Sequence, residues 1–472
     1  MRIVVCVKQS AGGEINPLDA CAYEAALCIP SGDVTLLSMG PARSEAMLSE
    51  LSRLGARRSI LISDSKFVGS DTLATAYVLS LAIKKLRPDL ILCGSKTIDG
   101  ETGQVGVELA QMLSMPVLNR VMRFVSQDGQ LTAHLRNGEQ VQVEYPAVAT
   151  VERIGNLRFP SMFSRPGEVE RWDASDLDAD PDQCGVNGSA TRVLKSEENV
   201  RDRRNCVKIT PGELMGVIRE SLNSSETVSE SNASETRIRG VWAVGSAAAA
   251  EAMSVCEDLK VIELTDAETI AQMIEKEKPL AVLWDSSDQG KLISAQVAAM
   301  LGLGLCADCT QLETDGKELF FYRPAFAGNI IAKIKCTRAP AMATLRTKVD
   351  TQSKIIVGFG MGVREKLDEA KQFADLLGAE TAASRAMVDS GNAPYEWQVG
   401  VTGKMVSPEV YIALGISGAV HHISGIRSAG KIIAINPDKN APIFNFADYG
   451  IVASFEDVWS ELNKNGLTEC VG

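Results

Sequence analysis

Short apolar runs alternate with helical patterns along the first hundred residues. Ile3–Val7 is an apolar run, and the segment that begins at Pro17 carries apolar side chains at helical spacing. The alternation continues with apolar runs at 34–37, 59–62 and 90–93, and with helical patterns at 44–54 and 71–86. Such alternation is typical of parallel strands joined by crossover helices. We therefore predict an α/β fold of Rossmann-like, parallel-sheet domains.

The polar and apolar pattern also indicates where domains end. The alternation stops at about residue 160, and residues 221–236 are dominated by serine and glutamate. A segment with so few apolar side chains cannot offset the entropy cost of its own ordering. We predict five regions: a first domain at 1–165, an extended arm at 166–220, a flexible linker at 221–236, a second domain at 237–350 and a third at 351–472.

A weak internal repeat links the first two domains. Leu109–Met115 matches Val297–Leu303, and each segment lies in a predicted helix that follows a strand and a turn containing Gly or Asp. Two related domains on either side of the linker would explain the match.

Composition narrows the class of protein. The 472 residues carry a formal net charge of −12, which disfavours nucleic-acid and anionic-membrane surfaces. No apolar run approaches the roughly 18 residues that a membrane-spanning helix needs. Eleven scattered cysteines favour a reducing compartment, and we expect a soluble, cytoplasmic protein. Cys306 and Cys309 form the only C-x-x-C, which we interpret as a buried structural pair and not as a metal site.

Two glycine-rich segments of the third domain raise nucleotide-binding alternatives. Lys354–Gly362 combines an apolar run with a G-x-G-x-G turn, and Glu380 follows near the position of a ribose-binding acid. A nicotinamide site there is the less favoured alternative, because such turns often serve tight packing alone. Gln398–Lys404 superficially resembles a phosphate loop but lacks its first glycine and its Ser or Thr.

Tyr411–Gly425 is the most informative segment. It joins a strand, a turn of small residues and a helix that carries His421 and His422, two of the three histidines in the chain. The glycines allow a ligand to approach closely, and a helix N-terminus supplies positive potential. A histidine donor at this place would stabilise a reduced, anionic flavin.

These and further segments resemble the electron transfer flavoprotein family. Residues 384–450 resemble the FAD domain of its α subunit through Ser384–Asp389, Gln398–Lys404, Gly415–His422, Ala434–Asn436 and Ala441–Gly450. Residues 323–332 and 340–344 resemble the end of that subunit's first domain. The first half resembles the β subunit through Asn16–Asp19, Leu36–Pro41 and Cys93–Gly106. The resemblance implies a fused chain: two related domains of the adenine-nucleotide α-hydrolase-like type and a C-terminal FAD domain.

The resemblance also implies roles for single residues in an FAD site. Arg385 would place positive charge beside the flavin, Thr402 would offer a hydroxyl to N5, and His422 would donate to O2. Ser417, Asn436 and Asp448 would contact the remainder of FAD, although helix capping is an equal alternative for Ser417 and Asp448. The full implied set comprises Ser384, Arg385, Gln398, Gly400, Val401, Thr402, Ser417, Gly418, Ala419, His422, Asn436 and Asp448.

A second nucleotide site is implied in the first domain. Amides at the start of the helix that begins at Val105 would hold its phosphate. The ligand is AMP in some family members and a second FAD in electron-bifurcating ones, and Ile62–Thr75 favours FAD. The implied residues are Asn16, Asp19, Ser38, Asp99, Gly100, Thr102, Gln104, Val105 and Gly106.

The resemblance implies an electron carrier and not an enzyme with its own substrate. It would pass electrons between a flavin dehydrogenase, of the acyl-CoA dehydrogenase type or another, and a second acceptor, with bifurcating NADH oxidation as a further possibility. Met162, in the segment Leu157–Met162, is the candidate anchor for docking. Phe359 and Val401 stand where the family has Arg and Gln, so the alternative is a nucleotide-binding scaffold with degenerate redox function.

Overall fold

The computed structural model describes residues 1–127, 129–152, 157–198, 204–223, 237–326, 328, 330–346, 353–400 and 403–464. The described residues up to 197, together with 237–346, form one compact unit. Residues 204–223 and 353–464 form a second. Parallel strands with crossover helices dominate both units, which confirms the predicted α/β class.

The first domain is built on a nine-stranded sheet in the order β7-β6-β5-β8-β4-β1-β2-β3-β9. The strands are β1 Arg2–Cys6, β2 Asp33–Met39, β3 Arg58–Ile62, β4 Leu90–Gly94, β5 Val117–Gln127, β6 Gln130–Leu135, β7 Gln140–Gln142, β8 Ala147–Val151 and β9 Glu170–Trp172. The helices are α1 Pro17–Cys28, α2 Ser44–Ser52, α3 Thr72–Leu86, α4 Val105–Met112 and the short α5 Gly185–Gly188. All neighbours are parallel except the meander β5-β6-β7, which the sequence pattern did not predict. The central strands are buried on both faces, since helices cover each side.

The predicted arm divides between the two units. β10, Thr191–Glu198, joins a sheet of the first unit, whereas β11, Val207–Lys208, pairs with the last strand of the third domain. The helix α6, Leu214–Asn223, buries Leu214 and Ile218 in the core of that domain. This helix extends past 221 because its apolar side chains recur at helical spacing and pack on the core. The predicted start of the linker was therefore three residues too early, and residues 224–236 lie outside the described residues.

The second domain has a five-stranded parallel sheet, ordered β13-β12-β14-β19-β15, beside a small antiparallel sheet, β10-β18-β17-β16. The strands are β12 Val241–Val244, β13 Leu259–Ile262, β14 Ala281–Asp285, β15 Leu305–Cys309, β16 Gln311–Thr314, β17 Leu319–Ala325, β18 Ile330–Cys336 and β19 Ala341–Leu345. The helices are α7 Ser246–Ala252, α8 Ala267–Glu277 and α9 Asp288–Leu301. Cys306 and Cys309 are both buried here. No group of three potential metal-ligating side chains occurs in the part of the chain that the structure describes.

The first two domains share a local irregularity that extends the sequence repeat. A β-bulge interrupts the pairing of β5 with β8 and that of β15 with β19. Each bulge contains a residue with positive φ, Arg120 (60°) and Asp308 (51°). Their backbone amides donate to Thr150 and Thr344 at 2.7 and 2.8 Å. The helices α4 and α9, which carry the repeated heptad, pack directly against each other.

The third domain is a six-stranded parallel sheet ordered β11-β24-β23-β22-β20-β21. Its own strands are β20 Ile355–Phe359, β21 Glu380–Ala383, β22 Val410–Leu414, β23 Lys431–Ile435 and β24 Tyr449–Ile451. Its helices are α10 Leu367–Leu376, α11 Arg385–Asp389, α12 Val420–Ile426 and α13 Phe455–Lys464. Among the described residues of the whole chain, no helix combines the length and the apolar character needed to cross a membrane.

Candidate functional sites

The third domain brings most of its predicted residues to one edge of the sheet. Ser384 and Arg385 follow β21, the turn 415–419 follows β22, and Asn436 follows β23. These are the carboxyl ends of parallel strands, where open α/β sheets bind their ligands. Three separate segments therefore meet at this edge of the sheet, which we call the crevice.

The small-residue turn after β22 is shaped by close backbone packing. Gly418 has φ of +90°, and a side chain there would lie 2.2 Å from the backbone nitrogen of Ile443. The Ser417 carbonyl accepts a hydrogen bond from that nitrogen at 3.0 Å. The Ser417 side chain is exposed at the edge, while Ala419 takes the N-cap position of α12. Ser417 thus does not cap the helix, which leaves its hydroxyl available to a ligand.

His422 contributes a buried, neutral imidazole. It lies in the first turn of α12, and Tyr411 contacts its Nε2 at 3.1 Å. Burial lowers the pKa of His422 to about 4, and an interaction with the Val399 backbone offsets part of that effect. Nδ1 is buried and makes no hydrogen bond within the described residues. An unsatisfied buried nitrogen is costly, and a ligand oxygen would satisfy it.

Other predicted residues at this edge make local hydrogen bonds and an ion pair. The Ser384 hydroxyl accepts from the Met387 amide at 3.4 Å and caps α11. Arg385 is half-exposed, and its Nε lies 3.2 Å from Asp389. The Asn436 amide donates to the Ile416 carbonyl at 2.9 Å. These contacts fix the turns and leave the Arg385 guanidinium near the edge.

Backbone hydrogen bonds join the described residues 398–400 to 403–404. Gln398 is buried, and its backbone carbonyl accepts from the backbone amide of Lys404 at 2.8 Å. Gly400 has φ of +137° and packs against Gly425. Val401 and Thr402 lie outside the described residues.

Asp448 requires a correction. It lies just before β24, at the amino end of the strands and thus at the edge opposite the crevice. Its carboxylate accepts from the Ile432 amide at 2.8 Å and pairs with Arg204 of the arm. Through these partners Asp448 connects the arm to the sheet. The position does not support the predicted contact with a cofactor, and we leave Asp448 out of the site.

The glycine turn after β20 serves packing. A side chain at Gly360 or Gly362 would lie 2.1 or 2.9 Å from the backbone of Gly415. Glu380 begins β21, at the amino edge, where its carboxylate accepts from the Ser353 amide at 3.1 Å. The acid and the turn lie at opposite edges, which disfavours the nicotinamide alternative. Phe359 is a fully buried strand residue that packs on the core, so it does not obstruct the crevice.

The first domain contains a cavity of about 780 Å³ at the carboxyl ends of its strands. Six of the nine predicted residues line it: Asp19, Gly100, Thr102, Gln104, Val105 and Gly106. Its floor is apolar, with side chains from β2, β3 and α3, and its opposite wall is the loop 95–104. The size and the mixed lining are those of a small-molecule site.

The remaining three residues support that wall. Asn16 donates to the Lys96 carbonyl at 3.0 Å and accepts from the Ile98 amide at 3.2 Å. Asp99 forms an ion pair with Lys8 at 2.6 Å. Ser38 is buried in β2 between two residues that line the cavity, and its hydroxyl has no partner within the described residues. The pattern of the sequence did not single out Lys8 or Lys96, although both line the cavity.

Two features of the wall suit a phosphate. Gln104, the N-cap of α4, forms no side-chain cap, so the first amides of the helix stay open to a ligand. Asp19 accepts from the amides of Lys8 (2.8 Å) and Gly94 (3.1 Å) and so holds the strand ends together. Burial raises the pKa of Asp19 to about 7, although these hydrogen bonds oppose the shift.

Comparisons with known proteins show which family the chain resembles. The model of the electron transfer flavoprotein domain matches residues 3–177 and 245–372. That of the electron transfer flavoprotein FAD-binding domain matches residues 351–427. An electron transfer flavoprotein subunit alpha of Thermoanaerobacterium thermosaccharolyticum is 37% identical over 39% of this chain and 70% of its own length.

Two further relatives have other names. Protein FixB of Clostridium saccharobutylicum is 37% identical over 42% of this chain and 74% of its own. Subunit CarD of the caffeyl-CoA reductase–Etf complex of Acetobacterium woodii is 35% identical over 42% of this chain and 87% of its own.

Proposed function

Because the chain belongs to the electron transfer flavoprotein family, we propose that it joins a β-like and an α-like half in one electron carrier. It carries electrons between a flavin dehydrogenase and a second acceptor and has no substrate chemistry of its own. The occurrence of the domain model in two stretches, followed by the FAD-binding model, supports the fused arrangement.

FAD is the cofactor of the third domain, and it supplies reversible uptake of one or two electrons. The unsatisfied Nδ1 of His422 and the glycine-shaped turn at 415–419 fit such a group. His422 would donate to a flavin carbonyl oxygen, and Arg385 would place positive charge beside the ring. Ser417, Gly418 and Ala419 would hold the polar tail together with Ser384 and Asn436. Gln398, Gly400, Val401 and Thr402 are the further contacts of the ring that the family resemblance implies.

The convergence of these segments at one carboxyl edge, around a buried neutral histidine, carries the proposal. A hydrogen-bond donor and a cation near the ring stabilise its electron-rich forms and so raise its midpoint potential. Phe359 points into the core and does not favour the degenerate scaffold.

The first test is the visible absorption spectrum and the FAD content of the purified protein. We expect yellow protein that dithionite bleaches. The variant His422→Ala should keep the fold and have a lower midpoint potential, whereas His134→Ala, which changes a histidine of β6 in the first domain, should not. Colourless protein that still binds AMP would favour the scaffold, and an unchanged potential in His422→Ala would remove His422 from the flavin site.

The cavity of the first domain takes a second nucleotide, either AMP or FAD. Its volume of about 780 Å³ favours FAD, because AMP has well under half the atoms of FAD. Val105 and Gly106 would offer amides to the phosphate, and Asp19 and Asn16 would hold the strand ends and the loop. Chromatography of the nucleotides released by denaturation distinguishes two FAD per chain from one FAD and one AMP.

An exposed apolar segment supports docking to a dehydrogenase. Phe159, Met162 and Phe163 are 96%, 91% and 92% exposed, respectively. Three neighbouring apolar side chains with this exposure are typical of an interaction surface. The caffeyl-CoA reductase–Etf complex to which CarD belongs suggests a partner that acts on CoA esters.

The docking role can be tested with an acyl-CoA dehydrogenase as the probe. Met162→Ala should slow electron transfer between the two flavoproteins, while Leu376→Ala, at an exposed site of the third domain, should not. Equal rates for both variants would exclude Met162 as the anchor. Oxidation of NADH coupled to two acceptors would identify a bifurcating member.

A further inference from the structure

A buried tyrosine contacts His422, the histidine of the crevice. Tyr411 is in β22, and its hydroxyl oxygen is 3.1 Å from His422 Nε2. Both side chains are buried, and neither the phenol nor the imidazole is part of an ion pair within the described residues. The pair joins the strand to the helix that follows it, across the turn at 415–419.

The neighbouring strand leaves space for the phenol of Tyr411. Gly358 of β20 lies on the adjacent strand, and a side chain there would be 1.9 Å from the Tyr411 hydroxyl oxygen. A glycine at this place leaves the hydroxyl room to reach towards the carboxyl edge, where His422 lies. The glycine of the G-x-G-x-G turn thus has a function that does not involve a phosphate.

Both members of the pair are neutral at ordinary pH. Burial raises the pKa of Tyr411 and lowers that of His422 to about 4. A neutral imidazole has one N–H and one lone pair, and its neighbours decide which nitrogen carries the proton. A buried hydroxyl hydrogen needs an acceptor, and among the described residues Nε2 of His422 lies at hydrogen-bond distance from it.

We propose that Tyr411 is a positioning residue that donates to Nε2 of His422 and so fixes the proton on Nδ1. Nδ1 then holds a hydrogen that no described residue accepts with normal geometry. In the opposite tautomer the hydroxyl hydrogen would lack this acceptor, and Nδ1 would present a lone pair to a cofactor oxygen.

The consequence for the cofactor rests on the proposed function. An Nδ1–H can donate to a carbonyl oxygen of the flavin, and this hydrogen bond strengthens as negative charge develops there. The Tyr411 hydroxyl therefore makes His422 a donor without making it a cation.

Nitrogen NMR of the full chain labelled in histidine tests the tautomer directly. The chain has three histidines, so single substitutions at 134 and 421 assign the His422 signals. We expect the Nδ1–H form in the wild type. In Tyr411→Phe the ratio of Nδ1–H to Nε2–H should fall about tenfold, the bias that one hydrogen bond typically provides. An Nε2–H form in the wild type, or an unchanged ratio in the variant, would overturn the proposal.

Tyr23→Phe is the matched control. Tyr23 is also fully buried, and its hydroxyl donates to the Leu51 carbonyl at 3.0 Å in the first domain. This variant loses a buried tyrosine hydroxyl but should leave the His422 ratio unchanged. A changed ratio there would mean that the effect is one of general stability and would overturn the specific role of Tyr411.

The midpoint potential provides a second readout. Tyr411→Phe should weaken the preference for the reduced cofactor about tenfold, which lowers a two-electron potential by about 30 mV. Gly358→Ala, which displaces the phenol without removing it, should change the tautomer ratio and the potential in the same direction. The NMR result stands whether or not FAD binds here, so an altered ratio with an unaltered potential would count against the flavin site and not against the pairing.

Discussion

The first and second domains share a fold, yet the N-terminus of one equivalent helix is uncapped in the first domain and capped in the second. In the first domain the loop from β4 to α4 spans residues 95–104, whereas in the second only residues 286–287 separate β14 from α9. The N-cap of α4, Gln104, leaves the helix amides open. The N-cap of α9, Ser287, accepts from the Gly290 amide at 3.0 Å, and Asp285 accepts from the Ser287 amide at 3.0 Å.

The difference illustrates how two domains of similar fold can differ in their capacity to bind an anion. A self-capped helix with a carboxylate beside it has satisfied its first amides and repels an anion. An open helix behind a long loop keeps those amides for a phosphate. The loop also contacts the second domain, because Gln104 donates to the Leu305 carbonyl at 3.2 Å. The site and the contact between the first two domains therefore depend on the same loop, residues 95–104.

The largest effect is expected from filling the close approach between Gly94, at the end of β4, and the first turn of α1, just before the loop that leads to the open helix. In Gly94→Ala the new methyl group would lie 2.3 Å from an Asp19 carboxylate oxygen and 2.7 Å from backbone atoms. We expect loss of the second nucleotide and destabilisation by about 3 kcal/mol or more. Nucleotide content and urea unfolding measure both. Gly12→Ala, whose methyl group meets one atom at 4.0 Å, is the control, and equal behaviour of the two variants would contradict the close approach.

The next largest effect is a pH dependence of stability that we expect to arise from α4 and not from α9. Glu108 of α4 is buried, and burial followed by the charge of Asp71 raises its pKa to about 8. The repeat places Gln296 at the same position of α9. Since the folded state holds the proton more tightly than the unfolded state, wild-type stability should fall as pH rises from about 4.5 to 8.

The variant Glu108→Gln makes α4 resemble α9 and should lose this part of the pH dependence. Its stability relative to the wild type should rise by a few kcal/mol between pH 5 and pH 8, because each pH unit in that interval costs the wild type about 1.4 kcal/mol. Urea unfolding at four pH values measures it. Parallel stability curves for the two proteins would show that Glu108 does not titrate in this range.

A smaller effect is expected from a carboxylate placed before α4. Thr102 stands two residues before its N-cap, as Asp285 does before that of α9. Thr102→Asp should weaken binding of the second nucleotide about tenfold, because the carboxylate repels its phosphate. Thr102→Asn has the size of the Asp side chain without its charge and should bind the nucleotide about ten times more tightly than Thr102→Asp does. Equal titration curves for the two variants would place the phosphate elsewhere.

The smallest effect is expected at α9, the helix that Ser287 caps. Ser287→Ala removes the cap of α9 and should cost about 1 kcal/mol of stability without a change in nucleotide content. Ser246→Ala is the control, because Ser246 is exposed in the first turn of α7 and Gly245 occupies its N-cap position. A change in bound nucleotide in Ser287→Ala would mean that the second domain also takes part in that site.

Much of the architecture could be predicted from local pattern. The helix α3 begins one residue after Asp71, whose side chain caps it at 3.0 Å from the Ala74 amide. The strand, turn and helix at 411–425 occur where glycine and apolar positions indicated them. The antiparallel strands β5–β7 and β16–β18 were missed, because their alternation is short and interrupted. Most of the implied site residues lie at carboxyl edges, and their contacts with nucleotides stay predictions.

The sequence by itself determined the class of fold and the family, because apolar periodicity and glycine spacing act over short stretches of chain. Tertiary structure alone decided which polar residues share a site. Asp448 and His422 both lie in segments that resemble the FAD domain of the family, yet Asp448 pairs with Arg204 at the amino edge and His422 contacts Tyr411 at the carboxyl edge. The edge of a sheet at which a side chain lies depends on strand direction and order, and these are set by packing between distant segments.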